Sequence, residues 1–283
     1  MRMKRKRHAK TIKTGKTKMN NLLSKLISQP LAMHESGAKM LQSLQGQTPQ
    51  QGFDRNLLKM DYLGNDIPKP YDLEDGTRVI PLHGPITRGL GILGQYCGMA
   101  DLDAFQRDVN EAASDPSVMQ IILHIQSPGG TAVGCCEASE VVKNASMVKP
   151  VKTYTDEMMA SAAYFIGSAA EEVYTTKSSL VGSIGTYVVL VDDSKLMERI
   201  GISYTVLRSG KYKGAGIDGY SDEQIEEMQS MVDGYGEQFR QYVSEYRQGA
   251  VDPDDMQGQI FMGEKSVEKN LADFVVDNLL QIV

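Results

Sequence analysis

From about Arg78 onward the chain alternates short runs rich in Val and Ile with amphipathic stretches, and this alternation limits the possible fold more than any other feature. The apolar runs are Val79–Leu82, Met119–Ile125, Val151–Tyr154, Val173–Thr175 and Tyr187–Val191. Each is too short for a typical helix, and their Val/Ile content suits strands buried on both faces. Helical patterns fall between them at Leu102–Ala113, Ala138–Asn144 and Ala160–Ala170. Strands that alternate with helices predict an α/β domain around a mostly parallel, buried sheet. A further strand is expected at Ser203–Leu207. The stretch Asp222–Arg247 predicts a long helix whose stripe of Met228, Met231, Val232, Tyr235 and Phe239 reads as packing.

The first 54 residues have a different character. Residues 1–18 hold nine Lys/Arg and no acid, which leaves 21 Lys/Arg against 36 Asp/Glu in the rest of the chain. Such an arm is expected to be a disordered tail able to hold DNA or an acidic partner, and Met19 offers a second start site. No apolar run follows it that would make a signal peptide, and no run of about 18 apolar residues would cross a membrane. Residues 22–45 read as helical, with Leu22, Leu23, Leu26 and Ile27 on one stripe. Residues 46–54 read as a linker. The expected organisation is therefore an arm at 1–18, a helical segment and linker at 19–54, and one large domain at 55–283. The cysteines, Cys97, Cys135 and Cys136, are odd in number and include an adjacent pair, a poor disulfide framework that fits a reducing compartment. With four histidines and no zinc-like spacing, no metal or cofactor is expected.

Three segments could carry chemistry. The strand ending at Gln126 runs into Ser127-Pro128-Gly129-Gly130, where glycines let a ligand approach bare N–H groups; the plain reading is a turn. Ser161 sits among small residues in what reads as the first turn of an apolar helix, where most serines are caps or tolerated hydroxyls. A nucleophilic serine needs a base. The histidines (His8, His34, His83, His124) all precede it, and His124 lies on a buried strand, so a Ser–His–Asp set is poorly supplied. Lysine is the other base, effective when burial favours its neutral amine. Lys211 and Lys213 stand two residues apart in the glycine-punctuated Ser209–Gly216 loop, and side-chain direction does not choose between them.

Taken together, Gln126-Ser127-Pro128-Gly129-Gly130, Ala160-Ser161-Ala162-Ala163-Tyr164, Gly182-Ser183-Ile184-Gly185 and Ser209-Gly210-Lys211-Tyr212-Lys213 resemble, in order and spacing, the motifs of signal peptide peptidase A (protease IV) and the head-maturation proteases of tailed phages. The resemblance covers about Arg78 to Asp277, and Gln29–His34 resembles the opening of the phage-type members. It implies a crotonase/ClpP-like α/β core with an N-terminal helical extension, assembled as a ring-like homo-oligomer. It also implies a Ser–Lys endopeptidase with Ser161 as nucleophile, Lys213 as base, Ser183 orienting the lysine, and Gly130 and Ala162 as the oxyanion hole. In the short members the serine of one protomer is completed by the lysine of its neighbour. The substrates implied are scaffold or capsid precursors in a bacterial cytoplasm, inside a phage prohead, with no membrane. Ala162 and Ala163 replace the family's two glycines, which predicts a narrower pocket. The competing readings are a cellular peptidase of signal-peptide remnants, an acyl-CoA enzyme of the same fold, and a catalytically silent capsid-associated scaffold protein.

Overall fold

A computed structural model describes residues 31–33, 66–89, 94–95 and 97–283. Its strands are β1 (Leu31–Met33), β2 (Tyr71–Asp72), β3 (Thr77–His83), β4 (Ile86–Thr87), β5 (Ala100–Asp101), β6 (Gln120–Gln126), β7 (Gly129–Thr131), β8 (Val151–Thr155), β9 (Met158–Ala160), β10 (Glu172–Thr175), β11 (Leu180–Gly182), β12 (Ile260–Met262) and β13 (Phe274–Val275). The helices are α1 (Leu102–Ser114), α2 (Cys135–Ser146), α3 (Ala162–Gly167), α4 (Ser194–Arg199), α5 (Asp222–Tyr246) and α6 (Gly263–Glu268).

The main sheet has the order β13-β10-β8-β6-β3-β2, parallel throughout except for the edge pair β2–β3. This is the mostly parallel α/β architecture that the alternating runs imply. Ile121, Leu123 and Ile125 of β6 point to the large core, which they share with Phe105 and Val109 of α1 and Val142 of α2. Ile122 points the other way, onto a smaller cluster with Val79, Tyr154 and Ile282. Burial on both faces explains why these strands read as continuous apolar runs. Two small sheets flank the main one, β12-β11-β9 and β1-β7-β4-β5. At the far edge, a bidentate pair between Arg247 and Asp273 (2.9 and 2.6 Å) ties the end of α5 to the β10 edge, where Asp273 also accepts the Val173 N–H at 2.7 Å.

Five expectations are corrected. Tyr187–Val191 and Ser203–Leu207 are not strands: only Tyr187 makes bridge pairing, and Val189, Val191 and Leu207 are exposed, Leu207 by 93%. Among the described residues no strand lies beside them, and an unpaired strand leaves its backbone groups unsatisfied. Leu31–Met33 is a strand where a helix was expected, because its backbone pairs with β7; the rest of 19–54, and the arm at 1–18, lie outside the described residues. The helix expected at Ala160–Ala170 spans only Ala162–Gly167, since Met158–Ala160 pairs with β11. In α5 the buried residues are Gln224, Gly236, Phe239 and Val243, while Met231 is 42% exposed. The second half of that helix therefore packs on the core, and Ile225 and Met231 of the first half stand exposed among the described residues.

Candidate active site

The strand β9 ends at Ala160 and α3 begins at Ala162, so Ser161 is the junction between them and not inside a helix as the sequence pattern suggested. Its backbone has φ 56° and ψ −122°, a conformation that L-residues rarely adopt and that costs of order 1–3 kcal/mol. Hydrogen bonds on both sides hold it there: its N–H donates to the Gly182 carbonyl (2.7 Å) and its carbonyl accepts from the Phe165 N–H (2.9 Å). The side chain, 1% exposed, faces a cavity of about 390 Å³. Its only hydrogen bond among the described residues is a long one, Oγ donating to the Gly185 carbonyl at 3.4 Å. Ser183 lines the same cavity, also at φ 56°, with its N–H donating to the Gln259 carbonyl at 2.6 Å. Two strained serines thus face one space, each fixed by backbone bonds that leave the hydroxyl unengaged or weakly engaged.

The turn at Ser127–Gly130 is bonded directly to the strand that leads to Ser161. Ser127 N–H donates to the Met158 carbonyl (2.7 Å), and Ala160 N–H donates to the Ser127 carbonyl (3.1 Å). The Gly129 N–H donates to Ser127 Oγ at 3.1 Å. Gly130 has to be glycine, since a Cβ there would sit 1.9 Å from the Ile86 carbonyl oxygen. Ala162 opens α3, where an N–H has no acceptor within its own helix. The methyl groups of Ala162 and Ala163 are buried in the main core and neither lines the cavity, so the expected narrowing does not arise there.

Lys213 is placed elsewhere. It lies in the turn at 211–216, exposed, its N–H donating to the Gly210 carbonyl at 3.0 Å, and it does not line the Ser161 cavity. Lys211 is committed to other partners: its Nζ lies 3.6 Å from Glu223 Oε2 and 4.7 Å from the centre of the Tyr212 ring. Tyr212, then Glu223, hold the Lys211 ammonium above the usual lysine range. The structure therefore brings Ser161, Ser183 and the Gly130 turn together within one chain and leaves Lys213 outside.

The cavity's far wall was not foreseen from the sequence. It is one side of α5, with Gln229, Val232, Asp233, Gly236 and Arg240 facing the 183–187 segment. Gly236 is the signal that was there to find, a glycine inside a helix interior that lets Thr186 approach and donate to the Val232 carbonyl at 2.8 Å. Asp233 accepts from Gln229 (2.7 Å) and Arg240 pairs with Glu237 (3.0 Å), so the wall carries both signs of charge.

The two described histidines lie on the smaller face of the main sheet. His124 Nε2 is 3.0 Å from Asp156 Oδ1, which also accepts from Gln126 at 2.8 Å, and the His83 and His124 rings meet edge to face at 4.7 Å. His124 is thus satisfied by a carboxylate. His83 Nε2 is buried without a hydrogen-bond partner among the described residues. Burial, then the neighbouring His124, push the His83 imidazole down to about 4, with Asp156 opposing. An unfolded histidine takes its proton near 6.5, so between those values the unfolded chain binds more protons and acid favours it. Stability is expected to be full above about pH 6.5 and to fall by about 1–3 kcal/mol on the way to pH 4. Urea denaturation at pH 7.5 and 5.0 checks this, since His83→Gln should shrink the difference.

Among the described residues no group of three or more His, Cys, Asp or Glu is placed to hold a metal ion, and no helix is long and apolar enough to cross a membrane. Residues 143–279 match peptidase family S49, a stretch that takes in Ser161, Ser183 and Lys213. Over that stretch, just under half of its length, the chain is similar to a peptidase family S49 domain. Capsid assembly protease C of Escherichia phage lambda is 29% identical over 216 residues, covering 74% of this chain and 48% of the relative. The head-tail preconnector protein GP5 of Enterobacteria phage P21 is 27% identical, covering 73% of this chain and 42% of the relative. Protease 4 of Salmonella typhi is 25% identical over 232 residues, with coverages of 79% and 36%. The chain thus spans less than half the length of each of these relatives, and the stretch matched to family S49 holds both the strained serine and the exposed lysine.

Proposed function

We propose that this chain is a serine endopeptidase with a crotonase/ClpP-like core, in which Ser161 is the nucleophile and the partner's Lys213 is the general base. The observation that carries this reading is Ser161 itself: a non-glycine residue held at φ 56°, at a strand-to-helix junction, with its hydroxyl facing a cavity. Backbone strain of that kind persists where the surroundings over-determine it, and it clusters at sites of chemistry. In the reaction, Oγ attacks a peptide carbonyl while neutral Nζ takes its proton. The N–H groups of Gly130 and Ala162 receive the oxyanion, each such donor being worth about 10²–10³ in rate. The lysine then gives its proton to the departing amine, and water, deprotonated by the same lysine, frees the acyl group. Ser183, on the cavity wall, would orient the lysine.

The base is assigned to a partner because Lys213 lies away from the cavity of its own chain. It follows a stretch with exposed Val189, Val191, Leu196, Ile200, Ile202 and Leu207, an apolar surface suited to burial against a second copy. The names of the two phage relatives, a capsid assembly protease and a head-tail preconnector, point to capsid-assembly proteins of a phage or prophage as substrates. A fluorophosphonate probe tests the nucleophile. Mass spectrometry should find the adduct on Ser161, and an adduct on another residue, or none in assembled protein, overturns the assignment.

A further inference from the structure

The strand β1 pairs with a segment about 100 residues downstream, antiparallel, with Leu31 opposite Thr131, Ala32 opposite Gly130 and Met33 opposite Gly129. Its partner β7 begins with the two glycines of the turn beside Ser161. One edge of β7 is already taken, since Ile86 of β4 pairs with Gly130. A peptide that presents a carbonyl to Ser161 and to the Gly130 N–H needs a strand edge for its flanking backbone to run along, as in β-augmentation. The remaining edge of β7 is the one that serves, and the chain's own backbone lies on it.

We propose that Leu31–Met33 is an intramolecular occupant of the peptide-docking edge, which keeps the site latent until a substrate strand displaces it. The inference rests on the peptidase reading of Ser161 given above. Two features suit a displaceable occupant. β1 is only three residues long and is the outermost strand of its sheet, so nothing among the described residues pairs with its far side. The next residue back is Pro30, which has no N–H to extend the ladder. Occupancy acts as a tax on binding: if β1 leaves the edge one-tenth of the time, the apparent affinity for a competing peptide falls about tenfold.

The test reads binding on the full-length Ser161→Ala protein, which cannot cut its ligand. The probe is a fluorescein-labelled peptide with the sequence of residues 29–35. Adding Ala32→Pro removes one N–H from β1 and should tighten peptide binding about five- to tenfold. In the otherwise wild-type chain the same change should raise kcat/KM on a short peptide. A second variant works in the opposite direction. Leu31→Cys with Thr131→Cys places two thiols on directly opposed residues, about 4.5–5.5 Å apart at Cα, within the range a disulfide spans. Oxidation should seat β1 permanently and abolish peptide binding, and dithiothreitol should restore it. If Ala32→Pro folds and binds peptide no better, or if the oxidised lock binds as well as its reduced form, β1 is a fixed part of the sheet and the proposal fails. Should Ala32→Pro not fold, the lock alone decides. Failure of fluorophosphonate to label Ser161 in the wild type would instead overturn the peptidase reading, so the two failures are separable.

Discussion

Ser161→Ala should abolish peptide cleavage, with a loss approaching about 10⁶-fold in rate, the scale seen when a serine peptidase loses its nucleophile. The fold should hardly notice. The hydroxyl makes one long contact of 3.4 Å, so its removal forfeits well under the usual 0.5–1.5 kcal/mol of a good hydrogen bond. The backbone bonds that fix the residue, to Gly182 and from Phe165, do not involve the side chain. Alanine also keeps the Cβ, so the strain at φ 56° is the same in both proteins. The measurement is kcat/KM on a short peptide alongside a thermal melt. Activity above a few per cent of wild type in a clean preparation would sink the nucleophile assignment. A large drop in melting temperature would show that Ser161 has a structural role that the geometry does not suggest.

The centre of the main sheet could be read from the sequence because its parallel strands β3, β6 and β8 are buried on both faces and so leave largely apolar runs. Thr77–His83, Gln120–Gln126 and Val151–Thr155 sit within a few residues of the runs that predicted them. The same logic misread Ser203–Leu207, whose alternating polar and apolar residues look like a strand while Leu207 stands almost fully exposed. Sequence pattern reports what a segment could bury, and within a single chain it does not say what will cover it. The stripe of α5 failed in the same way: Met228 and Met231 were counted as core, yet the helix buries only residues beyond them, apart from Gln224 near its start. Ser161 was located by its small neighbours, but its positive φ was not legible. That angle is imposed by β9 pairing with β11, a tertiary contact that pulls the chain out of the helix its composition favours. Gly130 was legible as a turn residue; that its bare Cα is needed against Ile86 was not.

Two dead preparations should give a live one when mixed. If the base comes from a neighbour, Ser161→Ala protomers retain Lys213 and Lys213→Ala protomers retain Ser161, and neither homo-oligomer contains a complete site. After dissociation and reassembly of a one-to-one mixture, about a quarter of head-to-tail contacts will pair an intact Ser161 with the partner's intact Lys213. Activity should therefore return to about a quarter of the wild-type level. The size matters as well as the return, because each contact joins one serine to one lysine and the yield follows from random mixing alone. Lys211→Ala, by contrast, should be mild, because that ammonium is already engaged by Tyr212 and Glu223 on its own chain. Labelled subunits must first show that exchange took place. If they have exchanged and the mixture stays inactive, each protomer has to complete its own site, and Lys213 would then have to travel from its exposed turn to the Ser161 cavity within one chain. That outcome would remove the shared site, leave Ser161 untouched as nucleophile, and move the search for the base to the residues that already line the cavity, Asp233 of α5 first among them.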